Sequence, residues 1–437
     1  MPVVVCLFVE PLEVALKNLK NLPVLTATFL LLTSVAGVAG SLEPKNQNDL
    51  TSLFKEITAQ PVIVEPTSRD FNSVGRSVGK DVKNKIGQMI MVGFRGTSPK
   101  HKGVQAVMRE LSEGSIGGVM LMKHNVVSIA QIARLTKALR RAAKSGGRPL
   151  PLISVDQEGG LVQRLRFTRF PSALRIARSS EASAASVYSK MACELRSTGI
   201  NVNFGPVVDL DVNGRNNPII GRLGRSYGKS PKTVIKYASQ FIAAHKRVGL
   251  MTVAKHFPGH GSSLTDSHKG FTAIPKWSRT ELIPYQVLSR GGSGKAVEMV
   301  MVGHLYNKLW GAPASLSNKA VSKLLRNDVK FKGLVITDDM EMGAIRKNYG
   351  WAEAISLAVN AGNDILLYSN TARYQPFLGR KIRDQIAASL CTGGNRSGCI
   401  APRIIQAAFN RVIRSKRNVA RLAAYSKPQR CALLARK

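Results

Sequence analysis

Gly333-Leu-Val-Ile-Thr337 is a run of apolar and β-branched residues that stops abruptly at Asp338-Asp339. A run that is apolar at every position, rather than at alternate ones, belongs to a strand covered on both faces, as in a parallel sheet wrapped by helices. Working outward from it, seven more runs of this kind appear. Before it come Gln88-Met-Ile-Met-Val92, Gly118-Val-Met-Leu-Met122, Leu150-Pro-Leu-Ile-Ser-Val155, Val202-Asn-Phe204, Met251-Thr-Val-Ala254 and Val297-Glu-Met-Val-Met-Val302; after it comes Asp364-Ile-Leu-Leu-Tyr368. They start 30 to 52 residues apart, the size of a strand–helix unit with loops of varying length. Helical periodicity fills the gaps, at 129–143, 183–197, 233–248 and 351–361. Eight buried strands, each followed by a helix, predict an α/β fold of the (β/α)8 barrel type with a single catalytic domain. A doubly wound open sheet is the alternative, and no glycine-rich dinucleotide fingerprint opens the first unit.

The chain of 437 residues is 44% hydrophobic and 21% charged, which excludes wholesale disorder, collagen and a polytopic membrane protein. Its net charge of +38 favours anionic surroundings, such as an anionic cell envelope. The basic residues are scattered, with no aromatic interleaving and no zinc-finger or RNA-recognition signature, so no specific nucleic acid is expected as partner.

Lys17 and Lys20 precede an apolar run from Leu22, which ends in small residues at Gly40. Residues 1–40 therefore read as a signal peptide, with Gly37 and Ala39 at the cleavage positions, or as a membrane anchor, and an exported chain (periplasmic or secreted) is expected in either case. Residues 41–81 suit a linker or surface arm, 82–425 the catalytic domain with a C-terminal helix, and 426–437 a basic tail. The basic helical stretch from Pro402 to Leu422 is expected to pack on the barrel. Removal of the first segment takes Cys6 and leaves Cys193, Cys391, Cys399 and Cys431. Cys391 and Cys399 bracket a short flexible loop that a disulfide could close, and the other pairing stays open.

In such a barrel the chemistry lies just after the strands. There the sequence carries Asp156-Gln-Glu-Gly-Gly-Leu-Val-Gln-Arg164, Lys255-His-Phe-Pro-Gly-His-Gly261, His304 and Asp338-Asp339-Met-Glu341. Polar and charged groups at successive strand ends imply one pocket. His256, His260, His268 and Asp266 could be weighed as zinc ligands. However, Phe257-Pro-Gly259 prevents a helical pair of histidines and Lys255 would repel a cation, so no metal and no other cofactor is expected. Asp266 and His268, two apart on an extended loop, would share a face, the carboxylate orienting the imidazole as a proton donor. Asp209 and Asp211 likewise would share a face after the fourth run, in a structural role.

These motifs resemble glycoside hydrolase family 3, specifically its bacterial β-N-acetylglucosaminidase (β-hexosaminidase) branch. The resemblance extends over 82–370 and rests on Lys255-His-Phe-Pro-Gly-His-Gly261 with Asp266-Ser-His268, and on Gly333-Leu-Val-Ile-Thr-Asp-Asp339. It also rests on Val155-Asp-Gln-Glu-Gly-Gly-Leu-Val-Gln-Arg-Leu165, Asn203-Phe-Gly-Pro-Val-Val-Asp-Leu-Asp211 and Gly224-Arg-Ser-Tyr-Gly228. It implies Asp338 as nucleophile and His268 as general acid and base, polarised by Asp266. It further implies that Asp156, Arg164, Arg225, Lys255 and His256 hold the terminal sugar. The chemistry agrees, since an oxocarbenium-like transition state needs a carboxylate beneath the anomeric carbon and the leaving oxygen needs a proton. An imidazole, ordinarily titrating near pH 6.5, suits giving and taking that proton. Asp339 and Glu341 are rival carboxylates, but adjacent strand residues face opposite ways, and the motif favours Asp338.

The expected activity is a retaining exo-β-N-acetylglucosaminidase acting on peptidoglycan-derived fragments or chitooligosaccharides. The alternatives are a β-glucosidase-type enzyme of the same family, against which the Asp266–His268 pair speaks, and a non-catalytic wall-binding barrel.

Overall fold

Eight strands pair in parallel and in chain order: β1 (Ile90–Gly93), β2 (Gly118–Leu121), β3 (Leu152–Val155), β4 (Val202–Asn203), β5 (Met251–Phe257), β6 (Met299–Val302), β7 (Leu334–Asp339) and β8 (Ile365–Tyr368). β8 returns to β1, matching Ile90 with Leu366 and Val92 with Tyr368, and the barrel closes. The computed structural model describes residues 78–290, 296–391, 398–425 and 431, all in the unit Glu65–Lys437. The expected signal or anchor, the arm as far as residue 77, and the tail other than Cys431 lie outside the described residues.

Each apolar run of the sequence becomes a barrel strand, most shifted by a residue or two. β5 extends three residues beyond its run and so carries Lys255 and His256 within the strand. The anticipated helical segments form Ile129–Ser145, Glu181–Ser197, Pro231–Arg247 and Trp351–Ala361. Ser128 and Ser180 start the first two by accepting the backbone N–H groups of Gln131 and Ser183, the usual work of a serine at a helix N-terminus. The helix Lys102–Glu113 ends at Gly114, whose φ of 77° is a left-handed conformation that glycine adopts without steric penalty.

Alternation along the strands fills the barrel. Met91, Met120, Leu152, Met251, Val253, Met299, Met301, Leu334, Ile336 and Leu367 make one buried cluster inside it. The outward residues join a larger core beneath the helices. Val412 and Val419, from the C-terminal helix Pro402–Tyr425, belong to the inner cluster, so this helix closes the N-terminal end of the barrel. On its buried face Lys416 Nζ donates to Gln88 Oε1 and to the Gly117 carbonyl, each at 2.7 Å, and burial pushes its ammonium down to about 7. The expected packing of the basic helix on the barrel is thus observed.

Two disulfides are present, Cys391–Cys399 and Cys193–Cys431. The first is the loop closure anticipated from the sequence. The second resolves the open pairing and ties residue 431 to the helix Glu181–Ser197. Among the described residues, no helix is long and apolar enough to cross a membrane.

Candidate active site

Inward alternation sets the floor of the site. On β7, Leu334 and Ile336 belong to the barrel interior and Asp338 continues the series, whereas Asp339 turns outward and accepts the backbone N–H groups of Glu341 and Ser369. Burial alone would raise the Asp338 carboxyl, but His256, His304 and His268 around it outweigh that and hold it below its ordinary value. Burial lifts Asp339 to about 6 in spite of its hydrogen bonds from Ser369. The two adjacent carboxylates are therefore separated in environment as well as direction, and Asp338 is the more acidic of the two.

On one side of the pit lies a charged network. Lys255 Nζ, only 3% exposed, bridges Asp156 Oδ1 at 2.8 Å and Glu158 Oε1 at 2.7 Å. Arg164 Nη2 donates to Asp156 Oδ2 at 3.0 Å, and Arg225 grips Glu158 through Nε and Nη2, both at 2.8 Å. Burial would raise Asp156, but Lys255 and then Arg164 keep it well below the usual carboxylate range; Arg225 and Lys255 do the same for Glu158. Arg164 Nε is buried with no hydrogen-bond partner among the described residues. His256 Nδ1 donates to Asp209 Oδ2 at 2.7 Å, and its Nε2 lies 3.4 Å from Arg225 Nη2.

On the other side stands the loop after β5. His268 Nδ1 donates to Asp266 Oδ1 at 2.9 Å, and the His268 backbone N–H donates to the same oxygen. The pairing is as expected, but the backbone is not extended. Residues 267–269 form a turn closed by Lys269 N–H to the Asp266 carbonyl, and the carboxylate folds back over it. An Asp side chain that can satisfy the N–H two residues on favours this turn over a strand. The imidazole is 61% exposed, with Nε2 free for a reacting group. The loop docks on the segment following the Asp338 strand: Gly343 and Ala344 N–H donate to the carbonyls of His268 and Ser267.

The expectation that Asp209 and Asp211 share a face is not met. β4 ends at Asn203, so both lie on irregular chain where strand alternation does not operate. Asp209 Oδ1 accepts the backbone N–H groups of His256 and His260, fixing the root of the loop, whereas Asp211 Oδ1 is buried and unpaired beside Gly221.

Of four further groups at the site, the sequence already marks His304 and His260, whereas it does not single out Glu158 and Gly343. Glu158 completes the network, and its alternation with Asp156 was the available signal. His304, at the end of β6, bonds the Asp339 carbonyl and Ser315. His260 Nε2 meets Ser267 Oγ at 3.0 Å, linking the root of the loop to its tip. Gly343 matters because a Cβ there would come within 2.7 Å of the His268 carbonyl, which no local pattern announces.

A parallel barrel that gathers ionised carboxylates, cations and an Asp-oriented imidazole at the C-terminal ends of its strands has the layout of a barrel enzyme. Residues 81–414 match the Glycosyl hydrolase family 3 N terminal domain, and the chain belongs to that family. It is 34% identical over 320 residues to "Beta-hexosaminidase A" of Pseudoalteromonas piscicida, covering 64% of this chain and 52% of that protein. It is 33% identical over 293 residues to "Beta-hexosaminidase" of Xylella fastidiosa (strain M23), covering 64% and 82%. The chain thus spans about half the length of the first relative and four-fifths of the second. Among solved structures it resembles a glycoside hydrolase family 3 beta-N-acetylglucosaminidase from Paenibacillus sp. str. FPU-7, with a TM-score of 0.68 and 32% identity, covering 77% of this chain and 62% of that one.

Proposed function

We propose that the protein is a retaining exo-β-N-acetylglucosaminidase that removes terminal β-linked GlcNAc from peptidoglycan-derived fragments or chitooligosaccharides. The observation that carries this reading is the pairing of Asp338 in the pit with a His268–Asp266 dyad hydrogen-bonded onto the segment following the Asp338 strand. The terminal sugar would sit against Asp156, Arg164, Arg225, Lys255 and His256, whose three permanent cations are answered by Asp156 and by Glu158 beside it. Asp338 attacks the anomeric carbon while His268 Nε2 gives its proton to the departing oxygen, forming a glycosyl–Asp338 ester. His268, neutral after that step, then takes a proton from water as that water cleaves the ester, and Asp266 stabilises the imidazolium that the second step restores. The names of the hexosaminidase relatives support GlcNAc as the sugar. The two disulfides support work in an oxidising compartment, consistent with export.

The test sets 4-nitrophenyl β-N-acetylglucosaminide beside the β-glucoside, with D338A and H268A as controls. Release from the acetamido sugar alone is expected, with kcat lowered more than about a thousandfold by D338A and about a hundredfold or more by H268A. Turnover of the glucoside alone, or a D338A enzyme of full activity, would sink the assignment.

A further inference from the structure

At the opposite end of the barrel from Asp338 lies a cavity of about 550 Å³, between the starts of β5–β7 and the C-terminal helix. Gly333 lines it, and five residues of strand, about 16 Å, separate that position from Asp338. Four cationic side chains converge there: Arg326, Lys332, Arg411 and Arg414. Two carboxylates answer them, and both are already engaged. Asp364, with no side-chain exposure, holds Arg326 Nη2 at 2.6 Å and Arg411 Nε at 2.7 Å. Glu298 pairs with Lys246 at 3.5 Å and accepts from Thr252. Lys332 and Arg414, exposed at the rim, have no carboxylate within ion-pair distance among the described residues. Burial lowers the Arg326 guanidinium and, Asp364 notwithstanding, Arg411 and Arg414 add to that lowering, so both lie close enough to repel it.

Holding like charges together in a concavity is unfavourable unless an anion occupies it, and guanidinium forks match phosphate oxygens in pairs. We propose that this cavity binds a phosphate-bearing ligand with more than one phosphate group. The volume exceeds what a single phosphate fills, and Phe331, Val419 and Leu422 give part of the wall an apolar surface for the groups that link phosphates. Such a site would hold the enzyme on a phosphate-rich surface or polymer while the sugar pit at the other end stays open.

The experiment is calorimetry on the full chain at constant ionic strength, with tripolyphosphate and with vesicles containing cardiolipin, a lipid with two phosphates, as probes. The cavity variant is K332Q/R414Q, whose positions are exposed and outside the catalytic machinery. The control is R134Q/K137Q, two equally exposed cations on the helix Ile129–Ser145. Saturable binding of either probe, weakened about tenfold or more by the cavity pair and unchanged by the control, supports the site, and the probe that binds tells a soluble oligophosphate from a lipid headgroup. Equal weakening in both variants would reduce the effect to net charge and overturn the proposal, as would failure of both probes to bind. Unchanged melting temperature and nitrophenyl-glycoside turnover in K332Q/R414Q verify that the fold and the distant site are intact.

Discussion

Asp156 holds two cations, Lys255 and Arg164, in a place almost closed to water. Replacing it by Asn keeps the shape and removes the charge, leaving Glu158 as the sole carboxylate partner of Lys255. Removing one partner from a buried ionic network costs about 3 kcal/mol or more, so D156N should melt well below the wild type. The sign with pH follows. The folded carboxyl lies well below its unfolded value, so its contribution is complete above about pH 4 and is lost progressively as pH falls from there toward the folded value. The melting-temperature gap between wild type and D156N, followed by calorimetry, should therefore hold steady from pH 7 to about pH 5 and shrink as pH falls below about 4. Gly343 makes a different prediction. An alanine there would press on the His268 carbonyl and displace the dyad without touching the charged network around Lys255. G343A should lose about ten- to a hundredfold in kcat with KM nearly unchanged, because a misplaced proton donor harms the reaction rather than the binding. Equal losses in both constants would argue for a broader collapse. Asp156, Lys255 and His256 were legible because charges interrupt apolar runs where strands end. Gly343 was not, because its significance arises from a carbonyl that is far away in sequence.

The loop after β5 has a root as well as a tip. Glu281, 2% exposed, faces Gly259 and Gly261 with Oε2 unbonded, and burial lifts its carboxyl to about 8, Asp209 adding to the effect. The native state thus keeps a proton that the unfolded chain releases near pH 4.5. Between those values stability falls as pH rises, by up to about 1.4 kcal/mol per unit for this one group. E281Q cannot ionise, so its melting temperature relative to wild type should climb from pH 5 to about pH 8 and level off above; a constant difference would refute the protonated carboxyl. The barrel strands were legible because burial on both faces writes an unbroken apolar run. Their edges were less so, because the last residues of β5 and β7 are polar and belong to the site. The turn at Asp266–His268 was misjudged as extended because two-residue spacing suits a strand and an Asx-stabilised turn equally well.

The long connections impose the last constraint. Cys193–Cys431 links residues 238 apart, whereas Cys391–Cys399 spans 8. In the chain-entropy picture a bridge restricts the unfolded ensemble more the larger the loop it closes, about 5 kcal/mol for the first against about 2.5 for the second. The first also anchors residue 431, beyond the helix that plugs the N-terminal end of the barrel. That plug contains Lys416, buried and bonded only to neutral acceptors, so the helix is not held by hydrophobic contact alone. C193S/C431S should lower the melting temperature by several degrees, clearly more than C391S/C399S does, and reductant, which opens both bridges, should bring the wild type at least as low as C193S/C431S. Nitrophenyl-glycoside turnover at 25 °C should survive in both variants, since neither bridge reaches the pit around Asp338. An equal loss from the two deletions would refute the chain-entropy account of these bridges.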